Sequence, residues 1–233
     1  MLHKADSRGK AEHGWLSSRH TFSFADYHNP DRMNFGLLRV LNDDVIQGET
    51  GFSTHRHDNM EIISIPISGS LEHKDSMGNI AIIHAGEVQV MSAGSGVSHS
   101  EYNQSKTNPA NFLQIWIYPK EKNISPRYGQ KKYILTPNNF ELIVSPDQDS
   151  DRTIWINQDA YLSLLELEFE HIATYKLYNE HHGVYFFVID GEVEVQGEEL
   201  LMSRDAIGIT QLSEVALKAN VNSKVLAIEV PLN

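Results

Sequence analysis

The stretch "GFSTHRHDNMEI", residues 51–62, places His55 and His57 one residue apart, with Glu61 four positions further on. In a β-strand, residues i and i+2 project from the same face, so both imidazoles would point the same way. The pair alone is weak support for a metal site, because 12 histidines in 233 residues predict about 0.6 such pairs by chance. The alternative is that these histidines decorate a turn and form local hydrogen bonds.

A second cluster, "SAGSGVSHSEYN" at residues 92–103, gives His99 and Glu101 the same spacing. Both pairs stand beside glycine-rich or turn-rich segments, where the mouth of a β-barrel would lie. If the two strands are neighbours inside a barrel, three imidazoles and one carboxylate converge. This donor set suits Fe, Mn, Ni, Cu, Co or Zn rather than Ca²⁺. Four protein ligands on a six-coordinate ion would leave about two positions for O₂ or substrate. Spacing does not decide whether Glu61 or Glu101 is the ligand.

The rest of the chain predicts an all-β fold. Runs rich in β-branched and aromatic residues alternate with turns such as "SGS", "AGSG", "IDGE" and "QGEE", a pattern typical of a sandwich or jelly-roll barrel. The two halves repeat one order of strand, glycine turn and alternating strand, which favours two related barrels. A polar segment with three prolines, residues 119–139, predicts the boundary. We expect domains at 1–130 and 131–233.

Composition narrows the functional classes. The formal net charge is −12, with 19 Lys and Arg against 31 Asp and Glu, so we expect no direct nucleic-acid binding. Docking on another protein stays open. The absence of cysteine excludes disulfides, thiolate metal sites and cysteine nucleophiles. Since no apolar run reaches the roughly 18–20 residues of a membrane span, and residues 1–15 lack the apolar stretch of a secretory signal, we expect a soluble, monomeric, cytoplasmic protein.

At its two histidine motifs the chain resembles the cupin superfamily. "HRHDNME" matches the pattern His-x-His-x₃-Glu, and "GVSHSEYN" matches Gly-x₂-His-x₃-Asn. More narrowly, "HGWLSSRHTFSFADYHNP", "LRVLNDDVI", "LEHKDSMGN" and "VQVMSAGSGVSHSEYN" resemble the pirin family, and the match continues to about residue 133. The resemblance implies two cupin barrels facing each other, with a metal in the N-terminal barrel and a degenerate C-terminal one.

The resemblance also implies a ligand set. It makes His55, His57, His99 and Glu101 the ligands of one divalent transition metal, for which Fe(II) is the first expectation. In general cupins the glutamate of the first motif is a ligand, whereas in pirins the carboxylate follows the third histidine, which is Glu101 here. Glu61 and Asn103 would then orient the ligands without touching the metal.

Two functions follow from the resemblance. The first is a quercetin 2,3-dioxygenase, in which O₂ adds across the heterocyclic ring of a flavonol with loss of CO, and Glu101 could also be the base for the 3-hydroxyl. The substrates would then be a small aromatic polyol and O₂. The second is a regulatory protein without catalysis, which binds a transcription factor or a metabolic enzyme according to the state of its metal.

The chain departs from the pirin pattern at three positions. Arg56 stands between the first two histidines, where proline is usual, and puts a cation beside the site. Pro66 falls within a strand, which predicts a sheet edge or a bulge. His84 replaces a proline before "AGE". None of these changes removes a predicted ligand.

Other candidates have simpler interpretations. We expect no second metal site from His171, His181 and His182, because adjacent strand residues face opposite ways. We interpret His13 and His20 as structural residues, and Trp15, Phe22 and Phe24 as core residues rather than a substrate platform.

Overall fold

A computed structural model describes residues 1–196 and 199–233 and is built almost entirely of strands. The first half contains β1 (Leu2–His3), a 3₁₀ turn (Ala5–Ser7), β2 (Gly9–Glu12), β3 (Leu16–His20), β4 (Leu38–Ile46), β5 (Gly51–His57), β6 (Glu61–Ser68), β7 (Ser70–Asp75), β8 (Ile80–His84), β9 (Glu87–Ser92), β10 (Val97–Asn103), β11 (Ala110–Ile117) and β12 (Arg127–Lys132). The second half contains β13 (Glu141–Ser145), β14 (Ile154–Trp155), β15 (Tyr161–Leu167), β16 (Ile172–Lys176), β17 (His182–Asp190), β18 (Glu192–Val195), β19 (Glu199–Met202), β20 (Ala206–Ile209), β21 (Glu214–Ala219) and β22 (Ser223–Pro231). None of the described segments forms a helix with the length and hydropathy that a bilayer crossing requires.

The strands form two barrels, each made of a seven-stranded and a four-stranded sheet. In the N-terminal barrel the orders are β12-β9-β6-β11-β4-β3-β2 and β5-β10-β7-β8. In the C-terminal barrel they are β1-β20-β17-β22-β15-β13-β14 and β16-β21-β18-β19. The predicted all-β fold with two jelly-roll domains is confirmed. So is the irregularity predicted at Pro66, because the β6–β11 register shifts beside it.

One strand of the N-terminal half belongs to the sheet of the C-terminal half. Strand β1 pairs with β20 in the sheet of the other half, and the expected boundary between residues 130 and 131 falls inside β12, which pairs with β9. The boundary therefore stays a prediction. The turn predicted at residues 196–199 includes residues 197 and 198, which lie outside the described residues.

The largest apolar cluster lies between the two seven-stranded sheets. Ile63 and Ile115 of the N-terminal barrel belong to it together with Leu164 and Leu226 of the C-terminal barrel, and all four are fully buried. Because side chains alternate along a strand, the neighbours Ser64 and Gln114 point the other way, into the N-terminal barrel. The pleat thus gives this sheet an apolar outer face and places polar side chains among apolar ones on its inner face.

The interior of the C-terminal barrel is apolar instead. Phe186, Val188, Leu165 and Leu217 belong to a second buried cluster that fills it. Apolar side chains therefore fill most of this barrel, with one buried polar cluster around Glu229.

Candidate metal centre and adjoining pocket

Three neighbouring strands of the four-stranded sheet bring the candidate ligands together. Strand β10 pairs with β5, where His99 lies opposite His55, and with β7, where Glu101 lies opposite His73. Residues directly opposite in an antiparallel pair have side chains on the same face of the sheet. The register therefore places four residues from three strands on the inner wall of the N-terminal barrel.

The three predicted histidine ligands form one compact group. Candidate ligand atoms of His55, His57 and His99 all lie within 4.8 Å of one another. The closest approach joins Nε2 of His55 to Nε2 of His99 at 3.0 Å. Two imidazole nitrogens that converge from different strands are the geometry that a shared metal ion requires.

The tautomer of His55 suits a metal ligand. Its Nδ1 lies 2.7 Å from the carbonyl oxygen of Ser53, and because a carbonyl only accepts, Nδ1 must donate its hydrogen. The neutral ring then has a free lone pair on Nε2, which faces His99. A backbone carbonyl that fixes the tautomer in this way is a common support for metal-binding histidines.

The other two histidines are held in their neutral form. Burial, followed by the neighbouring His99 and His55, lowers the pKa of His57 to about 4. Burial and the proximity of His55 and His73 lower the pKa of His99 to about 3. Both rings are therefore neutral near pH 7, which is the form that binds a metal. The residues present fit a transition-metal ion.

Glu101 lies in a second, overlapping group. Its candidate ligand oxygen lies within 4.8 Å of nitrogens on His73 and His99, whereas His55 and His57 do not belong to that group. Ser64 Oγ donates to one carboxylate oxygen at 3.0 Å and Gln114 Nε2 donates to the other at 2.7 Å. These donors reach Glu101 across the barrel and hold its carboxylate on the side away from His55 and His57. A register shift between His99 and Glu101 on the β5 side accompanies this offset.

His73 is a site residue that the sequence analysis missed. It is fully buried, its Nε2 lies 3.0 Å from Oδ2 of Asp75, and its Nδ1 has no partner among the described residues. The signal was present in "LEHKD", where His73 and Asp75 show the same i, i+2 spacing as the other pairs. What the sequence did not reveal was that β7 lies next to β10.

Glu61 and Asn103 lie away from the histidine group. Glu61 accepts hydrogen bonds from Ser92 Oγ and from the backbone N–H of Asn157, on the side that faces the C-terminal barrel. Asn103 donates to the carbonyl oxygens of Ile46 and Asn108 and so ties down the β10–β11 loop. Among the described residues neither side chain hydrogen-bonds a predicted ligand. Glu61 lies away from the histidines because it is two positions from Ile63 on β6, so both side chains point out of the N-terminal barrel toward the other barrel.

Arg56 also points away from the histidines. The side chain is exposed, and its guanidinium lies 3.4 Å from the carbonyl oxygen of Ser95 in the turn before β10. Its parity is opposite to that of His55 and His57, so the cation faces the outside of the barrel.

A cavity of about 330 Å³ opens beside His55 and His57. Four aromatic side chains form much of its wall, namely Trp15, Phe24, Phe52 and Trp116. The ring of His57 packs edge-on against Trp116 at 5.0 Å, so the aromatic wall is continuous with the histidine group. The lining is mostly apolar, and besides His13, His55, His57 and Gln114 its polar residues form a patch on β3 and β4.

This cavity corrects part of the sequence interpretation. Phe22 is a core residue as expected, but Trp15 and Phe24 are only partly buried and line the cavity. His13 and His20, interpreted as structural residues, line it as well. Aromatic residues near a β-sheet look alike in sequence whether they fill a core or face a pocket, so pattern alone did not separate them.

The histidines of the C-terminal barrel do not form a comparable group. His182 is buried with its Nδ1 3.0 Å from Oε1 of Glu229, whereas the side chain of His181 is 85% exposed and His171 is exposed. Glu229 also accepts from Tyr175 Oη and from the backbone N–H groups of residues 178 and 179. Within residues 1–196 and 199–233, groups with metal-ligand geometry occur in the N-terminal barrel alone.

Comparison with known proteins extends over both barrels. The pirin family model matches residues 2–117, and the model described as the quercetinase C-terminal cupin domain matches residues 142–230. Proteins of Escherichia coli O157:H7 and K12 named quercetin 2,3-dioxygenase are 41% identical over 230 residues, which span 99% of this chain and 98% of each of them. The crystal structure of the bacterial pirin YhhW from Escherichia coli in complex with nickel(II) superimposes with a TM-score of 0.93 at 40% identity, covering 99% of this chain and 98% of that one.

Proposed function

This chain belongs to the pirin family, and from that premise we propose that it is a metal-dependent dioxygenase that cleaves flavonols such as quercetin with O₂. The observation that supports the proposal most is the group of three convergent histidines, two of which, His55 and His57, lie in the wall of an aromatic-lined cavity. A metal-binding group at one end of a largely apolar pocket suits a planar aromatic substrate with few polar groups.

The proposed ligands are His55, His57, His99 and Glu101, and the proposed metal is one Fe(II) ion per chain. A related pirin from Escherichia coli is known in complex with nickel(II), so the donor set also suits other divalent ions. When bound, the metal would supply the Lewis-acid and redox chemistry by which O₂ reacts with the flavonol. The products would be a ring-opened ester and CO.

The protein's own residues would orient the substrate and move a proton. Trp116 and Phe24 lie edge to face at 5.3 Å and would pack against the ring system while they exclude water. Glu101 would accept the proton of the 3-hydroxyl, since a carboxylate within hydrogen-bond reach can act as a general base. Ser64 and Gln114, each bonded to one oxygen of Glu101, would keep that carboxylate in one orientation.

Metal content and flavonol turnover test this proposal together. We expect about one transition-metal ion per chain by inductively coupled plasma mass spectrometry, and loss of quercetin absorbance in air after iron loading. A double variant, His99→Ala with Glu101→Ala, should lose both. The control is His171→Ala, which removes an exposed histidine of the other barrel and should keep both.

Two results would contradict the proposal in different ways. If iron-loaded protein leaves quercetin unchanged where an established dioxygenase bleaches it, catalysis is absent and the non-catalytic regulatory function is favoured. If the wild-type chain stays empty after anaerobic loading with iron, the histidine group is not a metal centre.

A further inference from the structure

The cavity beside the histidines has a polar patch that the proposed chemistry does not use. Strands β3 and β4 pair so that Ser18 lies opposite Asp44 and His20 lies opposite Asn42. All four side chains line the cavity and none is more than 3% exposed. These two pairs on neighbouring strands form one group of hydrogen-bonding side chains in a wall that is otherwise mostly apolar.

Several polar atoms of this patch have no partner. Asn42 Oδ1 and His20 Nδ1 are buried and make no hydrogen bond among the described residues. Asp44 accepts from Ser18 Oγ with one carboxylate oxygen, and no described donor reaches the other. An unpaired buried polar atom costs free energy, so a polar group that bonded this patch from the cavity would offset part of that cost.

The patch lies within the reach of a single substrate molecule from the proposed metal centre. Asn42 is directly opposite Gln114 on β11, and Gln114 donates to Glu101. Neighbouring strands are about 4.8 Å apart, so the patch begins one strand away from Gln114 and extends over two strands. A flavonol bound through its 3-hydroxyl end is long enough to place its distal ring there.

We propose that Ser18, His20, Asn42 and Asp44 form a subsite that binds the phenolic hydroxyl groups of the substrate ring remote from the metal, with the free oxygen of Asp44 as their main acceptor. The inference rests on the proposed function and deepens it, because it names what selects among flavonols. Burial raises the pKa of Asp44 to about 7, assisted by the nearby Asp43 and Glu101. The carboxyl can therefore accept or donate a hydrogen bond near neutral pH.

Anaerobic binding of two flavonols to the iron-loaded protein tests the subsite without turnover. Quercetin carries two hydroxyls on its distal ring and galangin carries none, while the rest of the molecule is the same. Quenching of tryptophan fluorescence reports occupancy, because Trp15 and Trp116 line the cavity. We expect wild type to prefer quercetin by about tenfold, since a site with a buried acceptor discriminates against a ligand that lacks the donor.

A graded series of variants assigns the preference to Asp44. Asp44→Asn replaces a charge-assisted hydrogen bond with a weaker neutral one, so the preference should fall to about threefold. Asp44→Ala should reduce it to near one. The control is Glu49→Gln, which changes an exposed acidic residue three positions after the end of the same strand. This control should keep the wild-type preference.

Each result decides the inference. A wild-type preference near one, or a preference that Asp44→Ala leaves unchanged, overturns the subsite. Turnover of quercetin in air is measured separately, so the proposed function can stand when the subsite fails. If Asp44→Ala does not fold by circular dichroism, Asn42→Ala replaces it, and an unchanged preference there overturns the inference as well. Failure of wild type to bind either flavonol would overturn both.

Discussion

Glu61 shows how strongly one carboxyl group depends on the face of the strand that it occupies. It is fully buried between the barrels, and Oε1 has no partner among the described residues. Burial raises its pKa to about 7, although hydrogen bonds from Ser92 and Asn157 and the charge of Arg127 oppose the shift. Below about pH 7, Glu61 is therefore mostly protonated in the folded protein.

A stability measurement against pH tests that state. Because the folded pKa of about 7 lies above the ordinary value of 4.5, the folded protein binds the proton more tightly than the unfolded chain. The free energy of unfolding should then fall as pH rises from about 4.5 to about 7. Glu61→Gln removes this dependence, so wild type should lose about 3 kcal/mol relative to the variant between pH 4.5 and pH 8.

Urea titrations at both pH values give the numbers for this comparison. The control is Glu121→Gln, which changes an exposed carboxylate near the contact between the two barrels. Its free energy of unfolding should depend on pH as that of wild type does. Equal pH dependence in wild type and Glu61→Gln would show that Glu61 is not protonated in the folded protein.

For single residues, the sequence predicted which side chains share one face of a strand, but it did not predict whether that face points into the barrel or out of it. His55 and His57 share a face, as their spacing indicates. One side of β5 is exposed to solvent, so the other side, which carries both histidines, faces the barrel interior. Strand β6 is buried on both sides from Glu61 to Pro66, so alternation of polarity is lost there. The sequence alone therefore did not predict that Glu61 faces the other barrel.

Among the elements, the β5–β10 pair controls the geometry of the candidate centre. Gly51 begins β5 opposite Tyr102, and a Cβ at this position would collide with the backbone of Glu101 and Tyr102. The two strands approach closely because glycine has no side chain. We expect this close approach to influence the distance between His55 and His99 further along the same pair.

We expect Gly51→Ala to push β5 away from β10. The free energy of unfolding should fall by about 1–3 kcal/mol, as is typical when a side chain is forced into a packed site. Metal content per chain should fall with it, because His55 moves with its strand. Mass spectrometry of the metal and thermal unfolding measure the two effects. Thr54→Ala, at an exposed position of β5, should change neither, and normal metal content in Gly51→Ala would refute the idea that this pair sets the ligand spacing.

The elements also explain which site residues were missed. The sequence motifs identified two of the strands that carry candidate ligands, whereas His73 joins the candidate group only because β7 pairs with β10 in one register. Likewise Asp44 and Ser18 meet through the β3–β4 pairing, across 26 positions of sequence. Pairing between distant strands depends on the whole barrel, so local spacing does not predict it.

For the whole molecule, the back-to-back sheets join two barrels into one body. The largest apolar cluster contains side chains from both halves, and β1 adds a strand from one half to the sheet of the other. An ion pair also joins the halves, because Asp43 of β4 lies 3.4 Å from Arg204 in the turn before β20. The sequence predicted two domains, but it did not predict that the largest apolar cluster would lie between them.

Thermal unfolding should reflect this shared core. We expect a single cooperative transition by calorimetry, because neither seven-stranded sheet can expose its apolar face alone. Ile115→Ala opens a cavity in the shared cluster and should cost about 2–5 kcal/mol while the transition stays single. Ile80→Ala, at a position that is 74% exposed, is the control and should change little. Two separated transitions in wild type would contradict a common core.

The filled interior of the C-terminal barrel bears on how relatives of this protein can diverge. Phe186 and its apolar neighbours stabilise that half whether or not a ligand is bound in the N-terminal barrel. Mutations on the cavity side of β3 and β4 then change which molecules are accepted, while the architecture persists. Laboratory evolution toward new aromatic substrates should therefore accumulate changes in the N-terminal pocket and leave the C-terminal interior nearly invariant.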